Sequence, residues 1–139
     1  MASQLEHANL TVRDMSETLN FLTTALPDFK VRGQGDSGQV QWLHVGTDSS
    51  YITLNQASDP NDDDWARSGR APGFNHLGFI VDDAEAVQRR LEEAGYQVSS
   101  AGEDHPYRKR VYFRNQEGVE WEFIQYLSDD PAQRNQYGD

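Results

Sequence analysis

His7, His76 and Glu122 are the residues of this chain best placed to do chemistry, because an internal repeat relates them. The segment His7-Ala-Asn-Leu-Thr-Val-Arg-Asp recurs as His76-Leu-Gly-Phe-Ile-Val-Asp-Asp, 69 residues later. The same shift carries Thr53, inside Tyr51-Ile-Thr-Leu, onto Glu122, inside Glu120-Trp-Glu-Phe. If the halves fold alike and pack about a pseudo-two-fold axis, the two histidines face each other across it. Positions 53 and 122 do likewise. Two imidazoles and one carboxylate converging on a point make a metal site with open positions.

The elements that must position these groups repeat as well. Leu5 to Val12 alternates as a strand, with Ala8, Leu10 and Val12 on one face and His7, Asn9 and Thr11 on the other. Asp14, with Glu17 three residues on, predicts a capped helix whose buried stripe is Met15, Leu19, Leu22 and Leu26, ended by Pro27-Asp28. Strands are expected at 29–32, 40–45 and 51–56. In the second half a strand at 74–81 precedes a helix capped by Asp83, with Ala84, Val87, Leu91 and Ala94 inward and Gly95 as terminator. Strands at 96–99, 110–114 and 119–126 follow. The unit is β-α-β-β-β, twice: module 1 over 4–57, a polar linker over 58–72, module 2 over 73–127 and a polar tail over 128–139 that is expected to fray unless it wraps a second chain. Trp65 in the linker is a candidate cover for a cavity mouth or a partner subunit.

Period two sends the apolar residues under the helices and leaves His, Asn, Thr, Tyr and Glu on the opposite face. Such a sheet is expected to curve around a polar cavity. Glu122 lies between Trp121 and Phe123. A buried, unpaired carboxylate there is costly, so a cation or strong donors must accompany it.

Bulk properties narrow the class. The 139 residues suit one domain, predicted α+β, with a core of its own. A net charge of −11 argues against binding nucleic acid or an anionic membrane. With no cysteine, any metal must be held by His, Asp or Glu. No apolar run approaches the ~20 residues of a membrane span, and the start lacks the pattern of a signal peptide. A cytoplasmic protein is the expectation.

These residues, in this order, resemble the vicinal oxygen chelate superfamily, which includes glyoxalase I, extradiol dioxygenases and bleomycin-resistance proteins. The resemblance covers residues 4 to 127. It is carried by Leu5-Glu-His-Ala-Asn-Leu-Thr-Val, Phe74-Asn-His-Leu-Gly-Phe-Ile-Val and Gly118-Val-Glu-Trp-Glu-Phe. It implies tandem βαβββ modules whose curved mixed sheet forms a half-barrel, with the helices on the outer face. It also implies a divalent metal held at His7, His76 and Glu122. The implied chemistry is chelation of a small substrate's adjacent oxygens, with the metal as Lewis acid. A homodimer is implied too.

Thr53 stands where glyoxalase I has a second glutamate ligand, which departs from that enzyme's pattern. Two histidines and one carboxylate resemble the extradiol dioxygenase site, so Fe(II) is favoured over Mn, Ni or Zn. His105-Pro-Tyr-Arg-Lys-Arg-Val-Tyr, followed by Asn115-Gln-Glu-Gly, is similar to the extradiol signature, with Gln116 where proline is usual. On that resemblance Tyr112 hydrogen-bonds substrate and His105 serves as an acid or base. A core tyrosine and a loop histidine are the alternatives. Thr53, Asn9 and Arg110 are candidate pocket residues, and the Arg108–Arg110 cluster either attracts an anion or pairs with the acidic surface. His44 is read as structural. The leading expectation is a metal-dependent enzyme, with extradiol-like chemistry ahead of lyase or isomerase chemistry. The alternative is a non-catalytic small-molecule binding protein of the bleomycin-resistance kind.

Overall fold

Alternation and capping place the elements where the repeat requires them, in a computed structural model that describes residues 1–61 and 72–137. Trp65 and the acidic run 62–64 lie outside the described residues. The chain divides into two compact units, 1–65 and 66–139.

In the first unit, β1 (His7–Val12), α1 (Met15–Ala25), β2 (Lys30–Asp36), β3 (Gln41–Gly46) and β4 (Tyr51–Gln56) form one mixed sheet of order β1-β4-β3-β2 with its helix. In the second, β5 (His76–Ile80), α2 (Ala84–Glu93), β6 (Val98–Ala101), β7 (Arg108–Arg114) and β8 (Glu120–Tyr126) give the order β5-β8-β7-β6. The first strand of each unit runs parallel to the last, and the remaining pairs are antiparallel. Each sheet is an open four-stranded sheet. The expected half-barrel is corrected in that neither sheet closes or curls strongly.

Register follows the repeat. His7 pairs with Tyr51 and Asn9 with Thr53; at the same spacing His76 pairs with Glu120 and Gly78 with Glu122. The central strands carry the core: Leu43, Val45, Ile52 and Leu54 in one unit, Val111, Phe113, Trp121 and Phe123 in the other. Both second strands slip register, between Val31 and Gly33 and between Val98 and Ser100. Such bulges sharpen the local twist.

Both predicted caps are present. The Asp14 carboxylate accepts from Glu17 N, and Asp83 from Ala86 N, each at 3.0 Å. At the other end of α2, Gly95 takes φ +95°, and Tyr96 N and Gly95 N donate to the carbonyls of Leu91 and Glu92. A left-handed residue closes the last turn in this way, and glycine meets no Cβ penalty there. Asp83→Ala removes an orphan-donor partner and is expected to cost about 1 kcal/mol, read as a lower urea midpoint with unchanged slope.

Three expectations are corrected. The buried stripe of α1 is Thr18, Phe21, Leu22 and Ala25, continued by Leu26, while Met15 and Leu19 flank it. Ala94 is the exposed C-cap of α2 rather than part of its inward face. The described part of the tail forms a short helix, α3 (Pro131–Arg134), capped by Asp130, and packs on the second unit through Arg108.

Candidate functional site

Glu122 occupies the middle of β8, with β5 on one side and β7 on the other. Trp121 and Phe123 turn into the apolar core under α2, which fixes Glu122 on the opposite face by strand alternation. The carboxylate is almost fully buried, at 7 % exposure. Its two oxygens are each engaged. Tyr112, directly across on β7, donates its hydroxyl to Oε1 at 2.8 Å. His76 Nε2, from β5, lies 3.0 Å from Oε2. Tyr112 supplies one donor to the buried carboxylate, and the single N–H of a neutral His76 serves either Glu122 or Asn75 Oδ1.

His76 is oriented from behind. Its Nδ1 is bonded to Asn75 Oδ1 at 2.7 Å, and its ring meets Tyr112 edge-on at 5.8 Å between centroids. The Tyr112 phenol is pushed up to about 12, first by burial and then by its bond to the neighbouring Glu122 carboxylate. It stays protonated at neutral pH, with its one proton committed to Glu122. A ligand can use the phenol oxygen only as an acceptor.

The first unit presents a different set. His7 Nδ1 is bonded to Glu6 at 3.0 Å, and its ring stacks on Tyr51 at 4.8 Å. His44 stacks on the same tyrosine at 4.7 Å, Trp42 lies 5.0 Å from His44, and the Arg32 guanidinium lies 4.3 Å over Tyr51. Thr53 is buried across from His44. Asn9 accepts from Asn55 at 2.6 Å.

His44, read from the sequence as structural, holds a place that the repeat did not assign. It pairs with Thr53 as Tyr112 pairs with Glu122, so the two are counterparts. The relation is hidden because their spacing differs by one residue from the spacing of the histidines and of positions 53 and 122. The available signal was the shared alternation, Trp42 and His44 against buried Leu43 and Val45.

Of the expected site residues, the structure brings together His76, Glu122 and Tyr112. His7, Thr53 and Asn9 belong to the other unit. His105 is bonded elsewhere: Tyr107 N donates to its Nδ1 at 3.1 Å, and its Nε2 meets the Gln136 carbonyl at 3.2 Å. Arg110 lies on β7 two residues from Tyr112. Among the described residues, no group of three or more His, Asp or Glu side chains is assembled that could hold a metal ion. The His76–Glu122 pair by itself fits such an ion. Two donors at right angles, each about 2.1 Å from an ion, stand about 3 Å apart, which is the separation of Nε2 from Oε2.

Fold, register and site lead to one class. The chain belongs to the glyoxalase/bleomycin resistance protein/dioxygenase superfamily, whose sequence profile matches residues 4–123. A search of curated proteins finds no match. Among solved structures, the chain is similar to the glyoxylase/bleomycin resistance protein/dioxygenase domain from Frankia sp. EAN1pec. That likeness has a TM-score of 0.73 at 24% identity, over 91% of this chain and 99% of that one. A glyoxalase family protein from Bacillus cereus gives a TM-score of 0.75 at 16% identity, over 92% and 97%. The fosfomycin resistance protein FosX from Listeria monocytogenes, solved with Mn(II) and sulfate, gives 0.67 at 16%, over 98% and 100%. At these identities the likeness is one of fold. Among the described residues no helix is long and apolar enough to cross a membrane.

Proposed function

We propose that this chain is a small-molecule-binding protein of its superfamily, with His76, Glu122 and Tyr112 as the polar groups that meet the ligand. The observation that carries this reading is the satisfied state of Glu122. Both carboxylate oxygens have a protein group within hydrogen-bond distance, the Tyr112 hydroxyl at 2.8 Å and His76 Nε2 at 3.0 Å, which supports burial of the group by protein contacts. A half-exposed imidazole beside a buried hydrogen-bonded pair suits recognition of a polar ligand edge.

A second reading is favoured by the 3.0 Å separation of Nε2 and Oε2. In it His7, His76 and Glu122 hold a divalent ion, Fe(II) first and Mn, Ni or Zn otherwise, as in the extradiol-like chemistry expected from the sequence. When bound, the ion would supply Lewis-acid polarisation of a substrate's adjacent oxygens. The chain's own part is then to fix the His76 ring through Asn75, with Nε2 toward Glu122, and to hold the Tyr112 proton on Glu122. A homodimer and a cytoplasmic location belong to the same proposal.

Metal analysis of the purified protein, with thermal shifts in Fe(II), Mn(II), Ni(II) and Zn(II), separates the readings. The binding-protein reading expects no stoichiometric metal and no metal-dependent shift. One metal per chain, a shift of several degrees and loss of both in Glu122→Ala would overturn it in favour of the metal-dependent enzyme.

A further inference from the structure

We propose that the C-terminal segment 128–137 is a latch that closes one end of the sheet face carrying Glu122, with Arg108 as the positioning residue that holds it shut. The inference rests on the function proposed above, because the latch sets the length of ligand that this site admits.

Strand alternation lays the face out in rows. Between β7 and β8 the pairs on it are Arg114 with Glu120, Tyr112 with Glu122, Arg110 with Ile124 and Arg108 with Tyr126. The first row is tied by the Arg114–Glu120 ion pair at 2.9 Å. The last row is where the tail docks. Arg108 donates both Nη groups to the carbonyls of Arg134 and Gln136, at 3.2 and 3.3 Å. The Arg134 guanidinium in turn lies 4.1 Å over the Tyr126 ring. One row, Arg110 with Ile124, is left between the tail and the Tyr112–Glu122 pair. Rows two residues apart are about 7 Å apart along a strand, so a ligand that starts at Glu122 has about 7–10 Å of floor before it meets the tail.

The docked tail depends on these contacts. A four-residue helix does not persist alone, because nucleation costs more than so few hydrogen bonds return. α3 buries none of its residues. Its C-terminal carbonyls lack helical partners, and a cation is favoured beside them. Arg108 supplies that cation from β7. His105 adds a second donor. Its Nδ1 accepts from Tyr107 N, so the neutral ring carries its hydrogen on Nε2, which donates to the Gln136 carbonyl at 3.2 Å. None of these contacts draws an apolar side chain of α3 into the core. An element held in this way opens at small cost and leaves the sheet beneath it intact. Opening adds the Arg108–Tyr126 row to the floor.

The test uses the full chain, labelled with ¹⁵N and at the isoleucine δ1 methyls, since Ile124 stands on the floor. The Asn135 N–H bonds to the Pro131 carbonyl when α3 is formed. It is expected to exchange about tenfold slower than in an unstructured chain, and to lose that protection in Arg108→Met. Two neutral probes with the same polar edge then measure the floor: benzamide, which fits it, and 4-propoxybenzamide, which overruns it. From the Ile124 methyl shift, the parent should bind benzamide with Kd on the order of 1 mM and 4-propoxybenzamide at least about fivefold more weakly. Arg108→Met should leave benzamide unchanged and tighten 4-propoxybenzamide about fivefold or more, a change of ratio that a merely structural role would not produce. Should Arg108→Met fail to fold, Arg134→Met loosens the same latch from the tail and gives the same two readouts. Asn135 protection that persists in the variant, or an unchanged ratio of the two probes, would overturn this proposal alone. Binding of neither probe, or binding that survives His76→Ala, would overturn the function proposed above and this proposal with it.

Discussion

Trp121→Ala is expected to cost about 3–5 kcal/mol, enough to consume most of a typical domain's stability. Trp121 is fully buried at the centre of β8, with Phe79 stacked against it at 6.1 Å. Phe113 lies directly across on β7, also fully buried. Removing the indole leaves a cavity bounded by two strands and the Val87–Leu91 face of α2, none of which can collapse far without shifting register. Register matters more here than in most cores, because β8 also holds Glu122. The expected readout is a large drop in urea midpoint, together with loss of the Tyr112–Glu122 coupling between β7 and β8 on the opposite face of the sheet. A variant within about 1 kcal/mol of the parent would show that the core tolerates a void, and would remove the argument that Trp121 and Phe123 fix the direction of Glu122.

Much of the architecture was legible because two local signals agree in each half. Asp14 and Asp83 each precede an apolar helical run, and both became caps at 3.0 Å. Gly95 was readable as a terminator because only a positive φ closes that turn. The phase of α1 was less legible. Phe21 and Leu22 are adjacent, so two overlapping stripes compete, and counting aliphatic residues favours the one through Met15 and Leu19. The structure takes the other. It buries Thr18, whose hydroxyl counts against it on any hydropathy scale but can bond within its own helix. Polarity alone predicts a frayed tail, although Asp130 before Pro131 is a sound helix-start pattern.

The site was legible as a requirement rather than as a list of partners. Glu122 between Trp121 and Phe123 had to find donors, since burial of an uncompensated carboxylate is prohibitive. Which donors it finds depends on the β7–β8 register. That register is set by the turn in which Gly118 N donates to Asn115 O with Gly118 at φ +79°. Composition does not fix turn geometry to the residue, and one residue of slip would place Phe113 rather than Tyr112 on the site face. The same single-residue uncertainty hid His44 as the counterpart of Tyr112. His105 illustrates the converse. Its spacing to Tyr112 resembled a catalytic pattern, yet its ring nitrogens bond to backbone groups 2 and 31 residues away.

Tyr112→Phe is expected to lower stability by about 1.5–3 kcal/mol at neutral pH, because it strips a buried carboxylate of its hydroxyl donor. Glu122→Gln relieves that deficit, so the double variant Tyr112→Phe/Glu122→Gln should lose less than the two single variants together, with a coupling of about 1–3 kcal/mol from urea unfolding. Simple additivity would mean that the 2.8 Å bond contributes nothing in solution. The alkaline limb gives an independent reading of the same bond. The phenol is raised from 10.0 to about 12 in the folded chain, by burial first and by Glu122 second. The fold therefore favours the protonated form. Its contribution is fully present below pH about 10, where both states hold the proton, and is lost as pH rises from about 10 to about 12 and the unfolded state alone releases it. In Glu122→Gln the hydrogen bond to a charge and its repulsion of phenolate both go. The upper edge of that window should then move down toward 10.0 while burial keeps it from reaching it. Phenolate absorbance, followed alongside unfolding, measures both edges; an unmoved upper edge would assign the whole shift to burial and leave Glu122 without a role in it.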